Sequence, residues 1–145
     1  MAEFKKGEYL TAVKNITGNE WVYEGENFKT ESFPEVLIIE AAAQAAFLFY
    51  RLNNEEKAAD IFFERAEGES RNLETICSRL RSNNKSQLLL AGIKSEFFHP
   101  VSIGDQLRLE TGNHKIFKDR GFVDVSAWVQ ETNVAVVQIF YGTPK

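Results

Sequence analysis

The sequence predicts an α+β domain, an antiparallel sheet wrapped around one long central helix, and three observations carry the prediction. The stretch from Val36 to Tyr50 is almost wholly apolar and helical in pattern. The C-terminal half holds several segments with the period-two alternation of strands. Short turn-forming groups separate most of them, which implies an antiparallel meander beside the helix. With 145 residues, the chain is the length of one compact domain with a real core.

Tyr9 to Thr17 alternates loosely and Trp21 to Tyr23 is a short aromatic run, so both read as strands joined across Gly18-Asn19. Gly25 to Ser32 is polar and irregular and reads as a loop. Pro34 stands where helices favour proline, because its missing N–H would have had no intrahelical partner. From there to about Leu52 the helix is apolar all round, which predicts burial on all sides.

Residues 53–85 differ in character. They are charged, with Ala58, Ile61 and Phe62, then Leu73, Ile76 and Leu80, at helical spacing. Two short amphipathic helices, split near Gly68, would form a helical insertion in a single domain spanning 1–145. The strands then resume at Leu88–Phe98, Gln106–Phe117, Phe122–Gln130 and Val134–Tyr141. Gly104-Asp105, Asp119-Arg120-Gly121 and Thr132-Asn133 supply the expected turns.

Composition excludes several function classes. A net charge of −4 argues against a general nucleic-acid binder, which would carry a basic face. Lys14, Lys94, Arg108 and Lys115 could still gather into a local patch for an acidic carrier protein. The single cysteine, Cys77, cannot form an internal disulfide and has no metal-ligand spacing around it. No glycine loop suited to phosphate appears, so no cofactor is expected. The opening residues lack an apolar h-region, and the apolar stretch is shorter than the roughly 20 residues of a membrane span. A cytoplasmic protein without a membrane span is the expectation.

Glu40 is the most informative residue. Its neighbours Val36 to Ile39 and Ala41 to Ala43 leave no polar helix face to receive it, and Gln44 follows one turn later. A carboxylate enclosed by apolar groups is costly to ionise, which suits it to general acid or base work. The alternative is a structural carboxylate that caps a loop or pairs with a basic residue. Glu26, in the loop before the helix, is a second acid that could divide the roles, although a loop glutamate is usually only solvated. His99 and His114 lie on strand-like segments without an acid and a nucleophile to complete a hydrolase triad. Twelve phenylalanines, among them Phe33, Phe47, Phe49, Phe97 and Phe98, could line an acyl tunnel or simply fill a core.

Three motifs resemble one known family. Ala12-Val13-Lys14-Asn15-Ile16-Thr17, with Asn19-Glu20, is similar to an A-V-K-N-V-T-x-N-E strand. Phe33-Pro34-Glu35-Val36-Leu37-Ile38-Ile39-Glu40-Ala41-Ala42-Ala43-Gln44-Ala45 resembles an F-P-G-V-L-I-I-E-A-L-A-Q-A helix. His99-Pro100-Val101 and Gly104-Asp105-Gln106-Leu107-Arg108-Leu109-Glu110 follow an R-P-V-x-P-G-D-Q-L-x-L-E turn and strand. These are the marks of the FabZ-like β-hydroxyacyl-acyl-carrier-protein dehydratases of the hotdog fold.

The resemblance implies two protomers whose sheets continue across a dimer. Each site would combine a histidine from one chain with the helix glutamate of the other, acting on a 3-hydroxyacyl thioester of an acyl carrier protein or coenzyme A. The glutamate maps to Glu40 and its supporting glutamine to Gln44, which favours the catalytic reading of Glu40. Phe33, Glu35, Val36 and Phe97 would touch substrate. The departures are as specific. Where the family reads G-H-F-P-G, this chain has Gly25-Glu26-Asn27-Phe28-Lys29, so Glu26 takes the place of the catalytic histidine. Glu35 replaces the helix-start glycine whose amide polarises the thioester carbonyl. A glutamate does not copy histidine's near-neutral chemistry. The implied protein is therefore a dehydratase-like chain, active as a homodimer or completing the site of a histidine-bearing partner in a heterodimer. A hotdog thioesterase or an acyl-binding module is the alternative.

Overall fold

The computed structural model describes residues 3–19, 23, 32–54, 88–117 and 119–143. Six strands, β1 (Glu3–Lys5), β2 (Tyr9–Asn15), β3 (Leu89–Phe97), β4 (Gln106–Ile116), β5 (Arg120–Val129) and β6 (Thr132–Gly142), accompany one helix, α1 (Glu35–Asn54). They form one antiparallel sheet in the order β1-β2-β4-β5-β6-β3. The expected insertion over 53–85 lies outside the described residues, apart from the helix end at Asn53 and Asn54.

The helix begins where Pro34 ends the extended backbone, and the Leu37 N–H donates to the Pro34 carbonyl at 3.0 Å. At the other end Asn53 and Asn54 donate side-chain N–H groups back to the carbonyls of Phe49 and Tyr50, at 2.7 and 3.0 Å. Each is a side-chain bond back to the carbonyl one turn earlier, the i−4 pattern that polar side chains adopt near helix ends. The Asn53 side chain also accepts the Gly7 N–H, so the β1–β2 hairpin is pinned to the helix end.

The core lies between α1 and one sheet face. Ile38, Ala42, Ala45, Ala46, Phe49 and Leu52 of the helix pack on alternate residues such as Leu107, Leu109, Val125, Val137 and Ile139. The three alanines let the helix approach the sheet closely. A second clasp joins β2 to β4 at the register shift after Thr111. The buried Thr111 hydroxyl accepts the Leu10 N–H at 2.7 Å and donates to the Leu10 carbonyl at 3.3 Å.

Four expectations need correction. The helix is not buried on all sides: Val36 is 65% exposed and Phe47 44%, with Glu40 and Gln44 on the surface between them. A single six-stranded sheet covers only one helix face, and an apolar sequence cannot say which faces are covered within its own chain. The meander is also incomplete. β1–β2 and β4–β5–β6 follow one another, but β3 does not sit between β2 and β4 and crosses to pair with β6. The β3–β4 connection is occupied elsewhere, because the Val101 carbonyl accepts the Phe33 N–H at 2.6 Å and Ser102 bridges Ser32. Between β5 and β6 the turn falls at Gln130-Glu131, with Gln130 in the left-handed region (φ 53°), since Thr132 and Asn133 already pair with Val129 and Trp128. Finally, Tyr23 does not lie in a strand, Trp21 and Val22 lie outside the described residues, and β1 precedes the first strand expected.

The Gly104-Asp105 turn stands as expected. Gly104 has φ of 96°, a conformation that favours glycine. Its N–H donates to Ile16, while the Asp105 carboxylate accepts the Ser102 N–H at 2.8 Å. This turn joins the end of β2 to the segment that holds the helix start.

Candidate functional site

Glu40 and Gln44 occupy one exposed stripe of α1, a turn apart, as the i, i+4 spacing requires. Gln44 Nε2 donates to Glu40 Oε1 at 2.9 Å. That bond orients the carboxylate and leaves its second oxygen available. Among the described residues no basic side chain forms an ion pair with Glu40.

Beside this pair opens a cleft of about 300 Å³. Its helix wall runs from Glu40 and Gln44 past Ala43 and Phe47 to Tyr50. The opposite wall is Leu88, Leu89 and Leu90 at the start of β3, with Ile139 and Tyr141 of β6. Among the described residues Glu40 is the one charged residue in this lining, so the cleft is polar at one end and apolar beyond it.

Tyr50 and Tyr141 meet edge to face with ring centroids 4.7 Å apart. Both are buried, at 5% and 6% exposure. Burial, reinforced by Tyr50, holds the Tyr141 phenol well above the ordinary tyrosine range. The hydroxyl has no hydrogen-bond partner among the described residues. The ring itself rests on Gly121, its register partner on β5, where a Cβ would overlap both the ring and the Lys115 carbonyl.

The other expected site residues fall elsewhere. Phe33 is fully buried, with the Lys14 ammonium 5.7 Å from its ring centroid. Glu35 and Val36 are exposed in the first helical turn, and Phe97 is exposed at the far end of β3. None of these four lines the cleft. Glu26 lies outside the described residues. His99 is exposed, whereas His114 packs edge-on against Phe49 at 4.8 Å and stands 3.0 Å from the Gly112 carbonyl through Nδ1.

The expected basic patch does not assemble. Lys14 shares the helix-side face with its register partner Leu107, whereas Arg108, Lys94 and Lys115 project from the other face. Arg108 is further engaged by Glu110, at 3.2 Å, and by the Trp128 ring. The sequence reading missed Tyr50, Tyr141, Ile139 and the Leu88–Leu90 wall. Aromatic content hinted at a lined tunnel, but nothing local marks these residues as neighbours.

With this geometry in place, comparison with known proteins is decisive. Residues 1–78 match the FabA-like domain family. A 3-hydroxyacyl-[acyl-carrier-protein] dehydratase FabZ of Haemophilus influenzae is 38% identical over 132 residues, covering 90% of this chain and 70% of that protein. The chain belongs to the FabA-like, hotdog-fold dehydratase family. A FabZ dehydratase of Alkalilimnicola ehrlichii is 29% identical over 137 residues, 94% of this chain and 73% of its own length. Among solved structures, AziG of S. sahachiroi superposes with a TM-score of 0.65 at 8% identity, covering 100% of this chain and 90% of AziG. Thioesterase HI1161 of Haemophilus influenzae gives 0.63 at 8% identity, over 99% and 77%. At those identities the likeness is one of fold, and the fold of this FabA-like chain is the α+β hotdog. No described helix is long and apolar enough to cross a membrane.

Proposed function

We propose that this chain is a FabZ-like dehydratase homologue that contributes Glu40 and Gln44 to an acyl-thioester site, and that a histidine-bearing dehydratase-like chain completes the site in a heterodimer. The observation that carries the reading is the Gln44–Glu40 hydrogen bond at the mouth of an apolar cleft. Dehydration of a 3-hydroxyacyl thioester breaks a Cα–H bond and the Cβ–O bond and forms the Cα–Cβ double bond. A base takes the Cα proton, and an acid delivers a proton to the departing hydroxyl, which leaves as water. Glu40 is assigned the acid role because it lines the cleft as its charged residue and Gln44 holds one of its oxygens in place. The base is the partner's histidine, since this chain has Glu26 at the matching place.

The sheet edge supports a second chain. β3 is one of the two outer strands, and its Leu90, Ile93 and Phe97 are exposed, as are Val36 and Phe47 of α1. An apolar sheet edge of this kind is normally paired or covered. The substrate is an acyl chain carried as a thioester on an acyl carrier protein or coenzyme A.

The test offers the purified chain a 3-hydroxyacyl carrier-protein thioester, alone and with a histidine-bearing relative encoded beside it. Enoyl product only from the mixture, lost with Glu40→Gln in this chain, is the expected result. Turnover by the lone chain would refute the heterodimer, and release of free thiol without enoyl product would make it a thioesterase.

A further inference from the structure

We infer that the Tyr50–Tyr141 pair is a fixed stop that sets the length of acyl tail the cleft accepts; this deepens the acyl-thioester reading above and rests on it. The cleft has a direction. Its charged mouth is Glu40, and Tyr50 is the lining residue farthest from it along the helix, ten residues on, or about 15 Å of helical rise. A tail whose thioester end sits at Glu40 therefore runs past Ala43 and Phe47 and ends on the two tyrosine rings.

The stop cannot recede. Tyr141 is backed by Gly121 and the Lys115 carbonyl, where there is no room even for a methyl group, and Tyr50 is braced edge-on against Tyr141. Both rings are buried, so neither can swing into solvent without opening the core. Near the mouth the reverse holds. Ala43, three residues after Glu40, is the smallest side chain in the lining and keeps the passage open.

The experiment uses the full chain paired with its histidine-bearing partner, and a ladder of saturated S-alkyl-pantetheine thioethers, which carry the tail but can be neither dehydrated nor hydrolysed. Calorimetric affinity should rise about fourfold per added methylene, as burial of each group predicts, and stop rising at one length. Tyr50→Ala should move that break to longer tails, and Ala43→Leu should move it to shorter ones. Ala43→Leu places a strong helix former on a half-buried position, so it carries the test if Tyr50→Ala does not fold. A ladder without a break, or a break that neither variant moves, overturns the stop while leaving an acyl site. Binding at no length, with circular dichroism unchanged, overturns the acyl site and the stop together.

Discussion

Gln44 holds Glu40 across one turn of α1, its amide nitrogen 2.9 Å from one carboxylate oxygen, on the rim of a cleft that is otherwise uncharged. If this pair does the chemistry, the two residues should fail differently. Glu40→Gln should lower kcat by about 10²–10⁴, the usual contribution of a positioned acid or base. Gln44→Ala should cost about 10- to 150-fold, the equivalent of one hydrogen bond to a charged group. Steady-state assays with the completed heterodimer check both, with unchanged thermal unfolding as the control.

The exposed edge strand predicts a clean assembly phenotype. Ile93→Lys places a charge on the helix-side face of β3, at a residue already exposed in the single chain. It should abolish dimer formation in analytical ultracentrifugation while leaving the far-ultraviolet circular dichroism intact. A charged residue on a strand edge is a standard block to pairing. An unchanged sedimentation coefficient would place the partner elsewhere.

Thr111 joins β2 to β4 through both hydrogen-bonding roles of one buried hydroxyl. Thr111→Val keeps the shape but leaves the Leu10 N–H without its partner. The expected loss is about 1–3 kcal/mol, the penalty of an unsatisfied buried donor, read from urea unfolding midpoints. Thr111→Ser should lose less, since it retains the hydroxyl.

Gly121 and Tyr141 predict opposite responses. Gly121→Ala forces a methyl group into the Tyr141 ring and the Lys115 carbonyl, and should destabilise by about 1–3 kcal/mol. Tyr141→Phe removes a hydroxyl that has no hydrogen-bond partner, so it should be neutral or mildly stabilising at neutral pH. Chemical denaturation of the two variants distinguishes them directly.

Alkaline pH tests the burial of the same phenol. The folded state holds the Tyr141 proton more tightly than the unfolded chain does, because burial raises its pKa. Above about pH 10, where an unfolded tyrosine ionises, the unfolded state binds fewer protons, so stability falls as pH rises. Below that pH the group contributes no slope. Tyr141→Phe should flatten the alkaline decline, measured as unfolding free energy against pH.

Local pattern made part of this protein legible. Pro34 and the apolar run after it mark the helix start to within a residue, and β4, β5 and β6 alternate as half-buried strands should. Glu40 and Gln44 stood out because an acid and an amide at i, i+4 interrupt that run. Long-range order was not legible. Nothing local places β3 beside β6, and three residues are too few for β1 to show a period. The helix misled for a related reason: its exposed stripe is as apolar as a buried one, because a surface meant for another chain obeys the same chemistry as a core. Tyr50 and Tyr141 are 91 residues apart, and only the register that sets Tyr141 over Gly121 brings them together.

The β3 edge, unpaired among the described residues, has a consequence for the protein's life in a cell. An edge strand with exposed leucine, isoleucine and phenylalanine is a template on which a compatible strand can pair, its own copies included. Molecules made in excess of their cover are thus candidates for fibril seeding or for proteolytic clearance. Steady-state abundance would then follow the supply of whatever caps this edge rather than the chain's own rate of synthesis. Gene dosage and translational coupling become structural variables for this fold.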